Sequence, residues 1–136
     1  PGKVVAIGYK DGKEVCRDSI QTSKIKAACF TLTPDKTVLQ ADGQDLAFIA
    51  LQLFDENGVP VRINDRVVNA TVEGTGKLLG IDSGEMRRAY RFNSHELPTY
   101  QGRCMLVIQA GRSKGMKSVK VCVEGLPEQT ITIKVH

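Results

Sequence analysis

Few side chains in this 136-residue chain are of a type and spacing that could do chemistry. General acid–base cleavage by paired carboxyls needs two acids held close together, one with a raised pKa. The nearest local pairs are Glu14 with Asp18 and Asp82 with Glu85. Both lie in or beside turn-forming stretches, where a carboxylate caps backbone amides or faces solvent. His95-Glu96 precedes Leu97-Pro98, but one histidine with no serine or cysteine in a nucleophile setting makes no triad. No catalytic residue is expected.

Ligand-holding patterns are equally sparse. Cys16, Cys29, Cys104 and Cys122 include no C-x-x-C pair and have no histidine nearby, so a zinc site is not expected. Each falls in a strand-like run, where cysteine acts as a small hydrophobe. A disulfide stays open, because connectivity is not readable from spacing. The acidic turns at Asp42/Asp45, Asp55/Glu56 and Asp82/Glu85 lack EF-hand spacing and would hold calcium only by converging at one end of the fold. Neither a metal nor a cofactor is expected. Gly74-x-Gly76 and Gly80 resemble a phosphate cradle only superficially, since such a loop must open a helix and no helical pattern follows.

Sugar binding is the stronger alternative. A saccharide platform uses aromatic faces against pyranose C–H groups, with polar neighbours fixing the hydroxyls. The chain has no tryptophan, and Tyr90, Phe92 and Tyr100 are the aromatics gathered in one stretch. Core or loop anchoring is their expected use, and they are the candidate carbohydrate-binding residues under the alternative.

Composition narrows the classes further. Hydrophobic residues make up 41% of the chain, and the 13 glycines raise the apolar share to an ordinary globular value. Disorder, collagen-like repeats and long coiled coils do not fit this composition. No run approaches the roughly 18 apolar residues of a membrane helix, so no membrane span is expected. Nineteen Lys+Arg against 15 Asp+Glu give a net charge of +4. The basic residues are scattered; Arg87-Arg88-Arg91 and Arg112-Lys114-Lys117-Lys120 read as solvated faces, and no nucleic-acid partner is expected.

The elements that must carry these residues follow period-two alternation, with almost no helical periodicity. Residues 4–9 and 14–20 form a hairpin about Lys10-Asp11-Gly12-Lys13, because Asp-Gly supplies the positive φ angles of a two-residue turn. Gly2-Lys3-Val4-Val5-Ala6 reads as a strand already under way, which suggests a piece of something longer. The polar stretch Gln21-Thr22-Ser23-Lys24 separates residues 1–24 from a unit spanning 25–136. There Ala28, Phe30 and Leu32 alternate, and Ala47, Ile49, Leu51 and Leu53 form one face of the strongest strand. Its other face, with Leu46, Phe48 and Phe54, is also apolar, so this strand is expected to be covered on both sides. Glu56-Asn57-Gly58 marks another hairpin turn. Val68, Ala70 and Val72 alternate inward, and Leu79 with Ile81 marks a short strand. Residues 82–102 are the least regular. Met105 and Val107, with Cys104, Leu106 and Ile108 as the surplus second face, make another doubly apolar strand. Val119, Val121 and Val123, then Ile131, Ile133 and Val135, complete the set. Seven or more short strands in this length predict an all-β, antiparallel sandwich of immunoglobulin type.

Several segments then resemble a known module. Leu32-Thr33-Pro34-Asp35, Leu39-Gln40-Ala41-Asp42-Gly43-Gln44-Asp45-Leu46-Ala47-Phe48-Ile49 and Phe54-Asp55-Glu56-Asn57-Gly58-Val59-Pro60-Val61 are similar to the immunoglobulin-like domain near the C-terminus of family 2 glycoside hydrolases of β-galactosidase type. So are Gly74-Thr75-Gly76-Lys77-Leu78-Leu79-Gly80-Ile81-Asp82-Ser83-Gly84 and Tyr100-Gln101-Gly102-Arg103. The leading hairpin resembles the end of the β domain that precedes this module. The resemblance implies a non-catalytic accessory module, with the other domains of the parent hydrolase as partners. It also leans towards a bacterial periplasmic or cell-surface setting. The Ala41-Asp42-Gly43 and Asp55-x-x-Gly58-x-Pro60-Val61 turns are similar also to invasin-type adhesin repeats, which keeps an adhesin domain as an alternative beside a carbohydrate-binding module.

Overall fold

A computed structural model describes residues 2–136, with Pro1 outside the described residues. Eleven strands and no helix are assigned among them. The first two, β1 (Lys3–Lys10) and β2 (Lys13–Gln21), form a separate antiparallel ribbon. Asp11 and Gly12 turn it at φ 50° and 76°, the double positive φ expected of Asp-Gly. Val15 is an extra residue in the register, between Cys16 opposite Gly8 and Glu14 opposite Tyr9.

The remaining strands build a two-layer sandwich. One layer is a four-stranded antiparallel sheet of β3 (Cys29–Pro34), β5 (Leu46–Phe54), β9 (Arg103–Ala110) and β7 (Gly76–Asp82), in that order. The other has the order β4 (Val38–Leu39), β11 (Gln129–Val135), β10 (Gly115–Val123), β6 (Val67–Gly74) and β8 (Glu96–Pro98). Within it the short β4 runs parallel to β11 and the other pairs are antiparallel. The all-β immunoglobulin-like class is therefore the observed one.

Alternation explains the core. Ala47, Ile49, Leu51 and Leu53 of β5 point inward and are at most 1% exposed. They face Val68 and Ala70 of β6, Val119, Val121 and Val123 of β10, and Ile133 and Val135 of β11, all buried. Each large aliphatic side chain buried in this way contributes about 1.5–3 kcal/mol. The chain crosses between layers at Gly74-Thr75-Gly76. Glycine is required there: Gly76 has φ 114°, and a Cβ on it would stand 2.2 Å from the Gln109 carbonyl oxygen.

The structure departs from the sequence expectation at four places. The outer face of β5 is open rather than covered, with Phe48 41% exposed. In β9 it is Cys104, Leu106 and Ile108 that line the core, so the surplus apolar face carries Met105 and Val107 instead. Leu79 does not share a face with Ile81. A bulge after Leu78 turns Leu79 outward while Leu78 and Ile81 stay inside. Finally, Lys117 is fully buried rather than solvated, because it shares the inward parity of Val119, Val121 and Val123.

Between ribbon and sandwich, the segment around Lys24 is tied down by one carboxylate. Asp55 is 1% exposed and accepts hydrogen bonds from the backbone amides of Lys24 (2.8 Å), Asn57 (2.9 Å) and Val59 (2.9 Å). The Glu56-Asn57-Gly58 turn thus forms, but the chain beyond it pairs with β5 through an isolated Phe54–Pro60 bridge and builds no second hairpin strand before entering the other sheet at β6.

Candidate functional site

The irregular residues 83–95 fold over one flank of the sandwich and meet the loop at Ile63–Asn64–Asp65. Asp65 sits at φ 68°, in the left-handed region that aspartate tolerates better than most residues. Its amide donates to the Thr99 carbonyl at 3.0 Å, which fixes the loop against the end of β8. Asn64 is held as well, its Oδ1 accepting from the Gln101 amide at 2.7 Å. Arg88 reaches across to Asp65 Oδ1 at 2.6 Å, and the same Nη1 donates to the Tyr90 hydroxyl at 3.2 Å. Tyr90 and Asp65, in that order, hold the Arg88 guanidinium further into its charged range.

Glu85 forms the other wall. Its side chain is 10% exposed and paired with Arg87, whose Nε lies 3.0 Å from Oε1. That guanidinium, followed by the Arg87 backbone amide, keeps the Glu85 carboxyl below its usual range. Together these residues enclose a polar hollow of about 310 Å³, with Tyr90 and Pro98 supplying apolar wall and Ser83 and Thr99 hydroxyls.

The three sequence-nominated aromatics are only partly assembled. Tyr90 is half-buried against the core and lines both this hollow and an adjoining one of about 460 Å³, where Phe92 joins it. Phe92 is 74% exposed and lies outside the polar hollow. Tyr100 lines neither; it stands beside the Arg87 guanidinium, which Glu85 first and Tyr100 after it keep charged. Asn64 and Asp65 were not nominated. Their one sequence signal is an Asn-Asp dipeptide inside an irregular run, a common turn pattern with no chemistry of its own.

Of the two carboxylate pairs considered in the sequence, Glu85 lines the hollow and the others serve ion pairs and turns. Glu14 is paired with Arg17 at 2.8 Å, and Asp82 Oδ1 accepts from the Gly84 amide at 3.0 Å. Asp42 accepts from the Gln44 and Asp45 amides, while Asp45 accepts from the Gln40 amide and pairs with Lys36. Among the described residues no group of three or more His, Cys, Asp or Glu side chains is placed to hold a metal ion. All four cysteines are free thiols.

A larger and more apolar hollow lies on the outer face of the four-stranded sheet. It is a shallow groove of about 670 Å³ between Phe48 and Ala50 of β5 and Met105 and Val107 of β9.

Comparison with known proteins places this geometry. The chain is 35% identical over its full 136 residues to a β-galactosidase of Bacteroides ovatus, of which it covers 16%. A solved glycoside hydrolase family 2 member from Bacteroides cellulosilyticus superposes with a TM-score of 0.88 at 29% identity, over 99% of this chain and 17% of that one. An adhesin of Yersinia pseudotuberculosis superposes with a TM-score of 0.53 at 21% identity, over 78% of this chain and 26% of that one, a likeness of fold alone. The chain thus spans about one-sixth of the length of the β-galactosidase it matches. Residues 30–132, which hold both layers of the sandwich and the polar hollow, match the family described as glycoside hydrolase family 2 C-terminal domain 5, and the chain belongs to that family.

Proposed function

We propose that this chain is a non-catalytic packing module of a β-galactosidase-like enzyme that hydrolyses O-glycosyl bonds, docked through the outer face of its four-stranded sheet onto another domain of the same polypeptide. The observation that carries this reading is that face. Antiparallel sheets with one solvated side normally alternate apolar-in and polar-out. Here β5, β9 and β7 turn Phe48, Met105 and Leu79 outward, at 41%, 39% and 40% exposure, with Val107 half-buried between them. A contiguous apolar patch of this kind marks a contact surface. The occupant is another part of the same polypeptide, because the related β-galactosidase is some six times longer than the stretch matched here.

The leading ribbon supports the same arrangement. A lone two-stranded hairpin is marginal in water, yet Val4, Tyr9, Val15 and Ile20 are each more than 60% exposed. We assign residues 1–24 to a preceding β domain whose sheet covers them, and 25–136 to the sandwich.

Substituting Phe48 and Met105 with lysine in the full-length enzyme tests the docking. The pair should leave the stability of this chain by itself within about 1 kcal/mol. In the full-length protein it should lower Tm clearly and expose the module to proteolysis. Equal effects in both contexts would overturn the docking. The purified chain should also leave aryl β-galactosides intact. Turnover that disappears on substituting one of its carboxylates would overturn the non-catalytic role.

A further inference from the structure

We infer that the hollow formed by Asn64, Asp65, Ser83, Arg88 and Tyr90 is a saccharide subsite that takes one neutral pyranose unit. The argument begins with charge. The hollow holds two carboxylates, Asp65 and Glu85, and two guanidiniums, Arg87 and Arg88, paired one to one. It therefore offers no surplus positive charge to a phosphate or a uronate, and no surplus negative charge to a cation.

Its free hydrogen-bonding capacity alternates in sign instead. Asp65 uses Oδ1 for Arg88, leaving Oδ2 to accept. Arg88 uses only Nη1, so Nε and Nη2 carry no hydrogen bond to the described residues and are available to donate. Asn64 commits Oδ1 to the Gln101 amide, which leaves its NH₂ group to donate. A ligand that satisfies an acceptor and donors side by side must itself both donate and accept at neighbouring atoms. Adjacent sugar hydroxyls do this, and carboxylate or phosphate oxygens, which only accept, do not.

Shape agrees. About 310 Å³ lies at the lower end of ligand pockets, room for a single ring and not for a long chain. Tyr90 and Pro98 supply a small apolar part of a wall that is otherwise polar, against which one C–H edge of a pyranose would rest. The Asp65 backbone, at φ 68°, is pinned by its amide bond to Thr99, and the Asp65 carboxylate is paired with Arg88, although both side chains are more than half exposed.

The test is a titration of the ¹⁵N-labelled chain with methyl β-D-galactopyranoside, methyl β-D-glucopyranoside and methyl β-D-xylopyranoside. Glycerol, glucuronate and inorganic phosphate serve as comparison arms. The expected result is saturable shifts at Asn64, Asp65 and Arg88 with at least one neutral pyranoside, at millimolar strength. Affinity should weaken by roughly tenfold or more in Arg88→Ala and in Asp65→Asn, each of which removes a charge-assisted hydrogen bond. Asparagine keeps the left-handed backbone accessible, and Arg88 is a surface side chain, so two independent folded variants are at hand. Several outcomes would overturn the inference: no saturable shift with any of the pyranosides, equal shifts with glycerol, or saturation by glucuronate or phosphate alone. Loss of binding in Phe92→Ala with full retention in Arg88→Ala would also overturn it, moving recognition to the neighbouring aromatic hollow.

Discussion

The Lys117 ammonium reaches across the sandwich and donates to the Gln109 carbonyl oxygen at 2.5 Å, linking β10 of one sheet to the end of β9 in the other. It does so from a fully buried position, at the point where Gly74-Thr75-Gly76 carries the chain between layers. The Thr75 hydroxyl at the same crossover is buried with no partner among the described residues. A buried charge with a single neutral acceptor is costly.

Burial lowers the Lys117 pKa from the ordinary lysine value of 10.5. Between that lowered value and 10.5 the unfolded chain binds more protons at this group than the folded one, so its contribution to stability rises with pH across that window. Lys117→Met keeps the aliphatic stem and removes the charge. It should leave stability at neutral pH unchanged or raise it by about 1 kcal/mol, which is roughly 3–5 °C in Tm for a domain of this length. The alkaline gain should be flatter in the variant. Thermal melts from pH 7 to 10 read both effects.

Asp55 secures the stretch that joins ribbon to sandwich. Backbone amides of Lys24 first and Val59 next hold its carboxyl below the usual aspartate range. The stabilisation is thus present above the unfolded aspartate value and lost as pH falls through the lower folded value. Asp55→Asn places an NH₂ group where one of these amides needs an acceptor. Trypsin should then cut at Lys24 or Lys26 several-fold faster than in the parent chain, with the sandwich intact, as followed by mass spectrometry.

Two glycines with nearly the same φ should respond differently to alanine. Gly102 has φ 72°, and a Cβ there would stand 1.7 Å from the Val61 carbonyl oxygen; Gly58 has φ 73° and open space around it. Gly58→Ala should cost about 1 kcal/mol from backbone strain alone. Gly102→Ala must also displace the Val61 backbone and should cost about 3 kcal/mol or more, among the largest single-site effects. Paired denaturant melts test the ratio.

Thiol reactivity should rank by burial. Cys104 is 5% exposed and its thiol is pushed up to about 12, so it should stay unmodified by a disulfide reagent until the chain unfolds. Cys16 and Cys29 are exposed and should react at once. Cys122 is half-buried and donates to Glu128 at 3.2 Å, which raises its pKa and should place it between the two groups. A time course of thiol release in native and denaturing buffer measures the order.

Much of this molecule was readable from residue order. Alternation located the strands, since a half-buried strand needs apolar residues at every second position. Asp11-Gly12 announced its turn through its backbone preference. Even the burial of Lys117 was encoded in its parity with Val119, Val121 and Val123, although its charge pointed the other way. The family likeness was also carried by local turn and strand motifs. Tertiary structure decided what alternation leaves without a sign. In β9 both parities are apolar, and only packing against the opposite sheet set Leu106 inside and Met105 outside. A bulge at Leu79 reversed the expected facing, because one extra residue shifts the phase of everything before it. The polar hollow exists only in three dimensions, with Asp65 and Arg88 separated by 23 positions and brought together by loops whose path no periodicity describes.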